Sequence, residues 1–305
     1  MEWTGAQRVA AEPRGSRDHP QKYRLMTVLR RVVAAAPLLP LLLFIAVFLV
    51  VPSGTVLINA FVDDGSFTWI HIEALFSSTA LHALGRSLAL SAASAALGAV
   101  FGGLLAWLIV ALRPTSLVRR AALALSGVLA QFGGVALAFA YQAALGLLTL
   151  WVTQLFGVDL VPGRWMYGPV GLTLVYTFFQ IPLMVVIFLP ALEGLRRRWR
   201  EAAVNLGATE WQYWREVAVP VLWPVFLGST LLLFANAFAA YATAAALISQ
   251  GNLILPLLIR SALTSEVVLG QTGMAYALAL EMIVVVGAVM FGYTRLVRRT
   301  ARWLS

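Results

Sequence analysis

A chain of 305 residues that is 61% hydrophobic and only 11% charged carries more apolar surface than a soluble domain of its size can bury, so its composition is that of a polytopic membrane protein. The net charge of +9 lies in short segments beside apolar runs, with no basic patch interleaved with aromatics; this excludes a nucleic-acid footprint and fits attraction to anionic membrane lipid. Cysteine is absent, which excludes disulfides, thiolate metal sites and thiol catalysis together.

In chain order, residues 1–25 are polar, with Pro13, Gly15, Ser16, Asp18 and Pro20 and no apolar periodicity, and a disordered basic tail is expected over 1–31. The Arg30-Arg31 pair precedes an apolar run too long for a signal-peptide core, which reads as an uncleaved anchor. Crossing about 30 Å of hydrocarbon takes about 20 helical residues. Six runs qualify, at 32–57, 84–112, 121–155, 168–192, 221–248 and 270–293, within a six-helix transmembrane domain of 32–296 followed by a basic C-terminus at 297–305. None has the dyad alternation of a barrel strand, so the expected fold is all-α. The loops are too short for a substrate-binding domain, and 251–269, with Pro256 in an apolar stretch, reads as an interfacial or re-entrant piece. All of the 22 basic residues except Arg86, Arg164 and Arg260 fall in the two termini, the second loop and the fourth loop. The positive-inside rule therefore places both termini and the fourth loop in the cytoplasm.

That fourth loop, 193–220, has its own pattern. Leu195, Trp199, Ala202 or Ala203, and Leu206 share a helical stripe, while Arg196, Arg197, Arg198 and Arg200 crowd the other faces. Gly207 suits the left-handed residue that closes such a helix. Thr209 and Gln212 have capping-box spacing and predict a second helix through Trp211, Trp214 and Val217. Pro220 and Pro224 then mark a turn into the fifth span. A purely structural role for Glu201 is an exposed pair with Arg197 or Arg198.

Within the spans, Glu281 sits near the middle of the sixth run, where an ionised carboxylate costs at least about 2.5–3.5 kcal/mol and should face the bundle interior or a watery path. Gln131, Gln142, Gln180, Asn236 and Tyr241 are further polar groups at membrane depth, serving either such a path or interhelical hydrogen bonding. Gly98 and Gly102, with Ser91 and Ser94, form a small-residue face for close helix packing. His19, His71 and His82 make no i, i+4 pair around a glutamate, which removes a helical metalloprotease site. The single lysine, Lys22, follows no glycine loop, so the chain supplies no P-loop, and ATP-driven work would need another subunit.

Glu201-Ala202-Ala203, Gly207 four residues on, and Val217-Ala218-Val219-Pro220 after a nine-residue gap match the spaced E-A-A, G, aliphatic-x-aliphatic-Pro loop of binding-protein-dependent ABC importer permeases, with valine standing for isoleucine and leucine. The chain resembles that family from about residue 84 to 296. The resemblance implies a type I permease fold of six helices in a bacterial inner membrane, without catalytic residues, metal or cofactor of its own. It further implies a separate ABC ATPase that binds ATP and Mg and docks on the Glu201 loop, a second permease subunit, identical or paralogous, and an extracytoplasmic solute-binding protein. The stretch around Gly251-Asn252 and Leu255-Pro256-Leu257-Leu258-Ile259 is similar to permeases of the polyamine, phosphonate, ferric-iron and sulfate group, implying a small hydrophilic solute. A secondary transporter coupled through Glu281 is the alternative, without the internal repeat such folds show; an intramembrane enzyme is another. Neither accounts for the loop.

Overall fold

The computed structural model describes residues 38–63, 65–157, 167–195, 197–247, 254–264 and 271–301. The expected tail at 1–31, Lys22, His19, Arg164 and the Gly251-Asn252 pair lie outside them. The chain divides into two compact units, Met1–Thr55 and Val56–Ser305.

Six helices are long and apolar enough to cross a membrane. They are α1 (Leu39–Asn59), α3 (Ser78–Ala111), α5 (Gly134–Phe156), α6 (Pro169–Glu193), α8 (Glu210–Ala239) and α11 (Gln271–Ala301). Shorter helices connect them: α2 (Ile70–Glu73), α4 (Leu117–Gln131), α7 (Arg197–Asn205), α9 (Ala242–Leu247) and α10 (Leu255–Thr264). A minimal antiparallel hairpin of β1 (Val62–Asp63) and β2 (Ser66–Phe67) follows α1, reversed at Gly65 with φ +80°. The protein is thus an all-α polytopic membrane protein, with helix α1 apolar around its whole circumference.

The second unit is built around α3 and α6. Gly98 and Gly102 face α6 with no room for a side chain: a Cβ on Gly98 would stand 2.5 Å from the Gln180 Cβ, and one on Gly102 would stand 2.5 Å from both the Ile181 carbonyl oxygen and the Met184 Cβ. The small-residue face therefore lets two backbones approach closely, which is how helices pack in lipid without a hydrophobic driving force. Around this seam, Ala95, Ala99, Met184, Phe188, Leu222 and Leu233 form one core, and Phe238, Leu255, Leu258 and Leu278 form another that seats α10 against α3 and α11. Ser87 of α3 accepts a 2.7 Å hydrogen bond from the Leu255 amide, satisfying a buried donor at the start of α10. The expected interfacial piece is, over its described part, this packed helix, with Pro256 buried in the first turn.

Two sequence expectations for the spans are corrected. The run at 121–155 is not one helix: α4 ends at Gln131, Phe132 and Gly133 leave helical geometry, and α5 begins at Gly134 with φ +71°. The fifth span ends at Ala239 rather than near 248; Ala240 is extended, and its carbonyl accepts a 2.6 Å hydrogen bond from the Tyr176 hydroxyl. A tyrosine on the neighbouring helix thus fills the acceptor that the broken helix leaves open.

Candidate functional site

The α7–α8 hairpin is built by capping chemistry. At the end of α7, the Gly207 amide donates to the Val204 carbonyl and the Ala208 amide to the Ala203 carbonyl, each at 2.9 Å, with Gly207 at φ +80°. This paired pattern is a Schellman closure, and it needs a left-handed residue between the two bonds. Ala203 thereby supplies the acceptor that fixes where the chain turns, and Gly207 supplies the turn; both are positions of the spaced motif. A Cβ on Gly207 would meet nothing within 4 Å, so the backbone angle, rather than crowding, calls for glycine.

The next helix starts two residues later. The Thr209 hydroxyl accepts from the Gln212 amide at 3.3 Å, and the Gln212 side chain accepts from the Thr209 amide at 2.7 Å, forming the expected capping box. Arg200 then bridges the two helices, its Nε and Nη2 both donating to the Glu210 carboxylate at 2.9 Å and 2.6 Å. The Glu210 hydrogen bond, and secondarily its charge, raise the Arg200 pKa above its ordinary value. This bidentate brace between exposed side chains was not read from the sequence, where Arg200 was one of several cations. A ten-residue separation has no helical periodicity, so only the turn brings the pair together.

Pro220 and Pro224 do not make the turn expected of them. The chain runs helically from Glu210 to Ala239, with a widened π turn at Trp214–Ala218 immediately before Pro220. Pro220 has no N–H and its ring crowds the carbonyl four residues back. The extra residue in the preceding turn, where the Val219 amide reaches back to the Trp214 carbonyl, absorbs that mismatch without breaking the helix. Val217 is half-buried in this turn, Ala218 is buried, and Val219 and Pro220 are exposed. Glu201, Ala202 and Gly207 are exposed, and Ala203 is half-buried. Leu206, 88% exposed, and Trp211, 72% exposed, flank the turn, with Val204 exposed beside them.

Arg119, near the start of α4, pairs with Glu193 at the end of α6 and donates to the Leu112 carbonyl. The ion pair ties the α3–α4 turn to the bundle end from which α7 emerges.

The polar groups at membrane depth are dispersed. Gln180 is 0% exposed, held in the α3–α6 seam with its amide 3.5 Å from the Ser94 hydroxyl. Gln142 donates to the Ala246 carbonyl at 3.3 Å and so holds α9 against α5. Gln131 is exposed at the α4–α5 break, and Asn236 is exposed near the end of α8. Tyr241 stands at the α8–α9 break with the Arg260 guanidinium 5.9 Å from its ring centre. Glu281 is half-buried on α11, one carboxylate oxygen having no hydrogen-bond partner among the described residues. No hydrogen bond among the described residues joins any two of Gln131, Gln180, Asn236, Tyr241 and Glu281, and no cluster of His, Asp and Glu among them has the makings of a metal site.

Residues 98–302, about two thirds of the chain, match the family described as the binding-protein-dependent transport system inner membrane component. The sulfate transport system permease protein CysT of Escherichia coli (strain K12) is 27% identical over 209 residues, covering 66% of this chain and 69% of that protein. The probable sulfate transport system permease protein cysT of Nephroselmis olivacea is 28% identical over 242 residues, covering 77% and 81%. Among solved structures, a bacterial alginate ABC transporter in complex with an alginate pentasaccharide-bound periplasmic protein has a chain with TM-score 0.72 and 19% identity, covering 90% of this chain and 96% of that one. The MetNI methionine ABC transporter, in an inward-facing conformation, gives TM-score 0.52 at 18% identity, covering 74% and 99%. At such identities the structural likeness is one of fold.

Proposed function

The chain belongs to the binding-protein-dependent transport system inner membrane component family and is a multi-pass permease subunit of an ABC importer, from which premise we propose that the α7–α8 hairpin is where a separate ATPase subunit docks. The observation that carries this reading is the hairpin's exposed apolar surface, Val204, Leu206 and Trp211, on a turn otherwise made of charged and small residues. Large apolar side chains gathered on a polar loop mark a site that another protein covers. Alanines at 202 and 203 keep the helix slim enough to enter a cleft, and the Schellman closure and capping box hold its shape before binding.

The path from docking to transport is mechanical. The second arm of the hairpin, beginning at Glu210, is continuous with the span ending at Ala239, so a displacement of the hairpin moves that span as a rigid rod. ATP and Mg are bound by the ATPase partner, whose closure and reopening drive the spans between inward-open and outward-open arrangements. Both termini and the hairpin lie in the cytoplasm of a bacterial inner membrane, following the arginine distribution. A second permease subunit completes the path, and an extracytoplasmic binding protein delivers the solute. Relatives named for sulfate support a small hydrophilic solute as its class. Gln131, Asn236, Tyr241 and Glu281 are the polar side chains offered to that path. Gln180, closed inside the α3–α6 seam, would reach it only after those helices separate.

The test is co-purification of the tagged chain with its ATPase from mild detergent, with ATPase activity assayed in each eluate, for wild type, Glu201→Ala and Gly207→Asp. Loss of ATPase from the variants at equal yield and folding supports docking at the hairpin. Recovery indifferent to both substitutions sinks it and returns attention to a secondary transporter coupled through Glu281.

A further inference from the structure

The β1–β2 hairpin between α1 and α3 carries three aromatic rings that pack on one another. Phe61 and Phe67 stack at 6.0 Å, and Trp69 stands edge-on to both, at 5.5 Å and 5.4 Å. The cluster stays open: Phe67 is 66% exposed, Trp69 is 57% exposed, and Ile70 beside them is exposed as well. The tip is polar, with Asp63, Gly65 and Ser66 at the reversal and the Ser66 hydroxyl bonded to the Asp63 carbonyl. An apolar ring cluster below a polar tip is a two-sided element that asks for an apolar layer next to an aqueous one.

Chain connectivity says which layer that is. Phe61 is two residues past Asn59, the end of α1, so it lies at most about 7 Å beyond that end at about 3.3–3.6 Å per residue. The described part of α1 is by itself long enough, at about 1.5 Å per residue, to cross a hydrocarbon core of about 30 Å. Asn59 is the first amide or charged side chain after Arg31, and Asp63 is the first charged one; this polar onset sets the edge of the core near the end of α1, with the headgroup layer, about 5–8 Å thick, beyond it. The ring-to-ring distances hold Phe67 and Trp69 in the same layer as Phe61. Tryptophan gathers at this depth because its ring is apolar while its indole N–H can reach water or a headgroup, and the two phenylalanine rings packed on Trp69 add apolar area to it.

We propose that the Phe61–Phe67–Trp69 cluster is a membrane anchor seated in the lipid headgroup layer, fixing the depth of the link between α1 and α3. The next element makes the anchor consequential. His71 of α2 is buried, its imidazole packed directly on Gly273 of α11, where no side chain would fit. A hairpin held at one depth thus also holds the start of the last span.

The chain contains no cysteine, so Ser66→Cys places one fluorescent label at the tip with the three rings intact. In phosphatidylethanolamine–phosphatidylglycerol vesicles, a nitroxide lipid labelled near the headgroup should quench this probe strongly, and aqueous iodide should quench it less than it quenches the same probe in protein without the rings. Adding Phe67→Ser and Trp69→Ser should lose the lipid quenching and gain the iodide quenching, in protein that elutes and yields as before. No quenching by the headgroup-labelled lipid with the rings intact would overturn the proposal. So would quenching indifferent to their removal, or protection that appears only when a solute-binding protein is added, which would reassign the cluster to a protein contact.

Discussion

Replacing Gly207 separates two reasons for a glycine, and the structure says which one applies. At φ +80°, with open space where a Cβ would stand, Gly207→Ala meets no atom. Its cost is the left-handed conformation alone, about 1–2 kcal/mol. One or two kcal/mol is a factor of about 5–30 in the ratio of closed to open hairpin. A nine-residue helix is too short to persist on its own, so the hairpin has little reserve from which to absorb that loss. Asparagine is larger than alanine but tolerates the left-handed region better. Hydrogen exchange on the permease alone, read at the Gly207 and Ala208 amides that close α7, should therefore accelerate in the order Gly, Asn, Ala, Val. The same order should appear as falling ATPase recovery on co-purification. Exchange in the Asn variant faster than in the Ala variant would refute the reasoning, because it would mean that size rather than backbone angle decides.

Three further outcomes follow from the packing. Gly102→Ala puts a methyl 2.5 Å from the Ile181 carbonyl oxygen and the Met184 Cβ, an overpacking expected to cost about 1–3 kcal/mol; thermal unfolding in detergent should fall, whereas Gly127→Ala, in open space on α4, should gain about 0.5–1 kcal/mol. Ser87→Ala strips the partner from the buried Leu255 amide at about 1–3 kcal/mol, and exchange at that amide should rise before the bundle melts. Arg200→Glu and Glu210→Arg should each loosen the hairpin by a small, salt-screened amount; the double exchange should restore ATPase recovery at low salt, and no recovery would show that the brace is incidental.

The six spans were legible because a crossing needs a long apolar run, and nothing else in the chain looks like one. The hairpin was legible too, since its capping signals act within a few residues: Thr209 with Gln212, and Gly207 at the helix end. Its bracing was not, because Arg200 meets Glu210 only after the chain reverses. Hydropathy averages over a window and is blind to a backbone break, so the interruption at Phe132–Gly133 passed as one span. The break at Ala240 was equally invisible, since its stabilising partner is Tyr176, 64 residues earlier. The prolines misled for a related reason. A proline lacks one donor and needs one carbonyl moved aside, and whether the chain turns or widens by one residue depends on what packs around it.

Composition and short-range pattern by themselves determined that this chain lives in a membrane, crosses it as helices, has no lysine following a glycine loop, and carries the spaced loop of its family. Those properties depend on transfer to lipid and on capping, which act over one helix or one turn. The tertiary structure decided the rest: that Gly98 and Gly102 meet α6, that Gln180 is sealed in that seam, that α8 runs unbroken from the hairpin into the span, and that three aromatic rings gather at the end of α1. Each of these is a meeting between segments distant in sequence or turned back on themselves, fixed by close packing and by the need to pair every buried backbone group, and neither constraint is written at any single position.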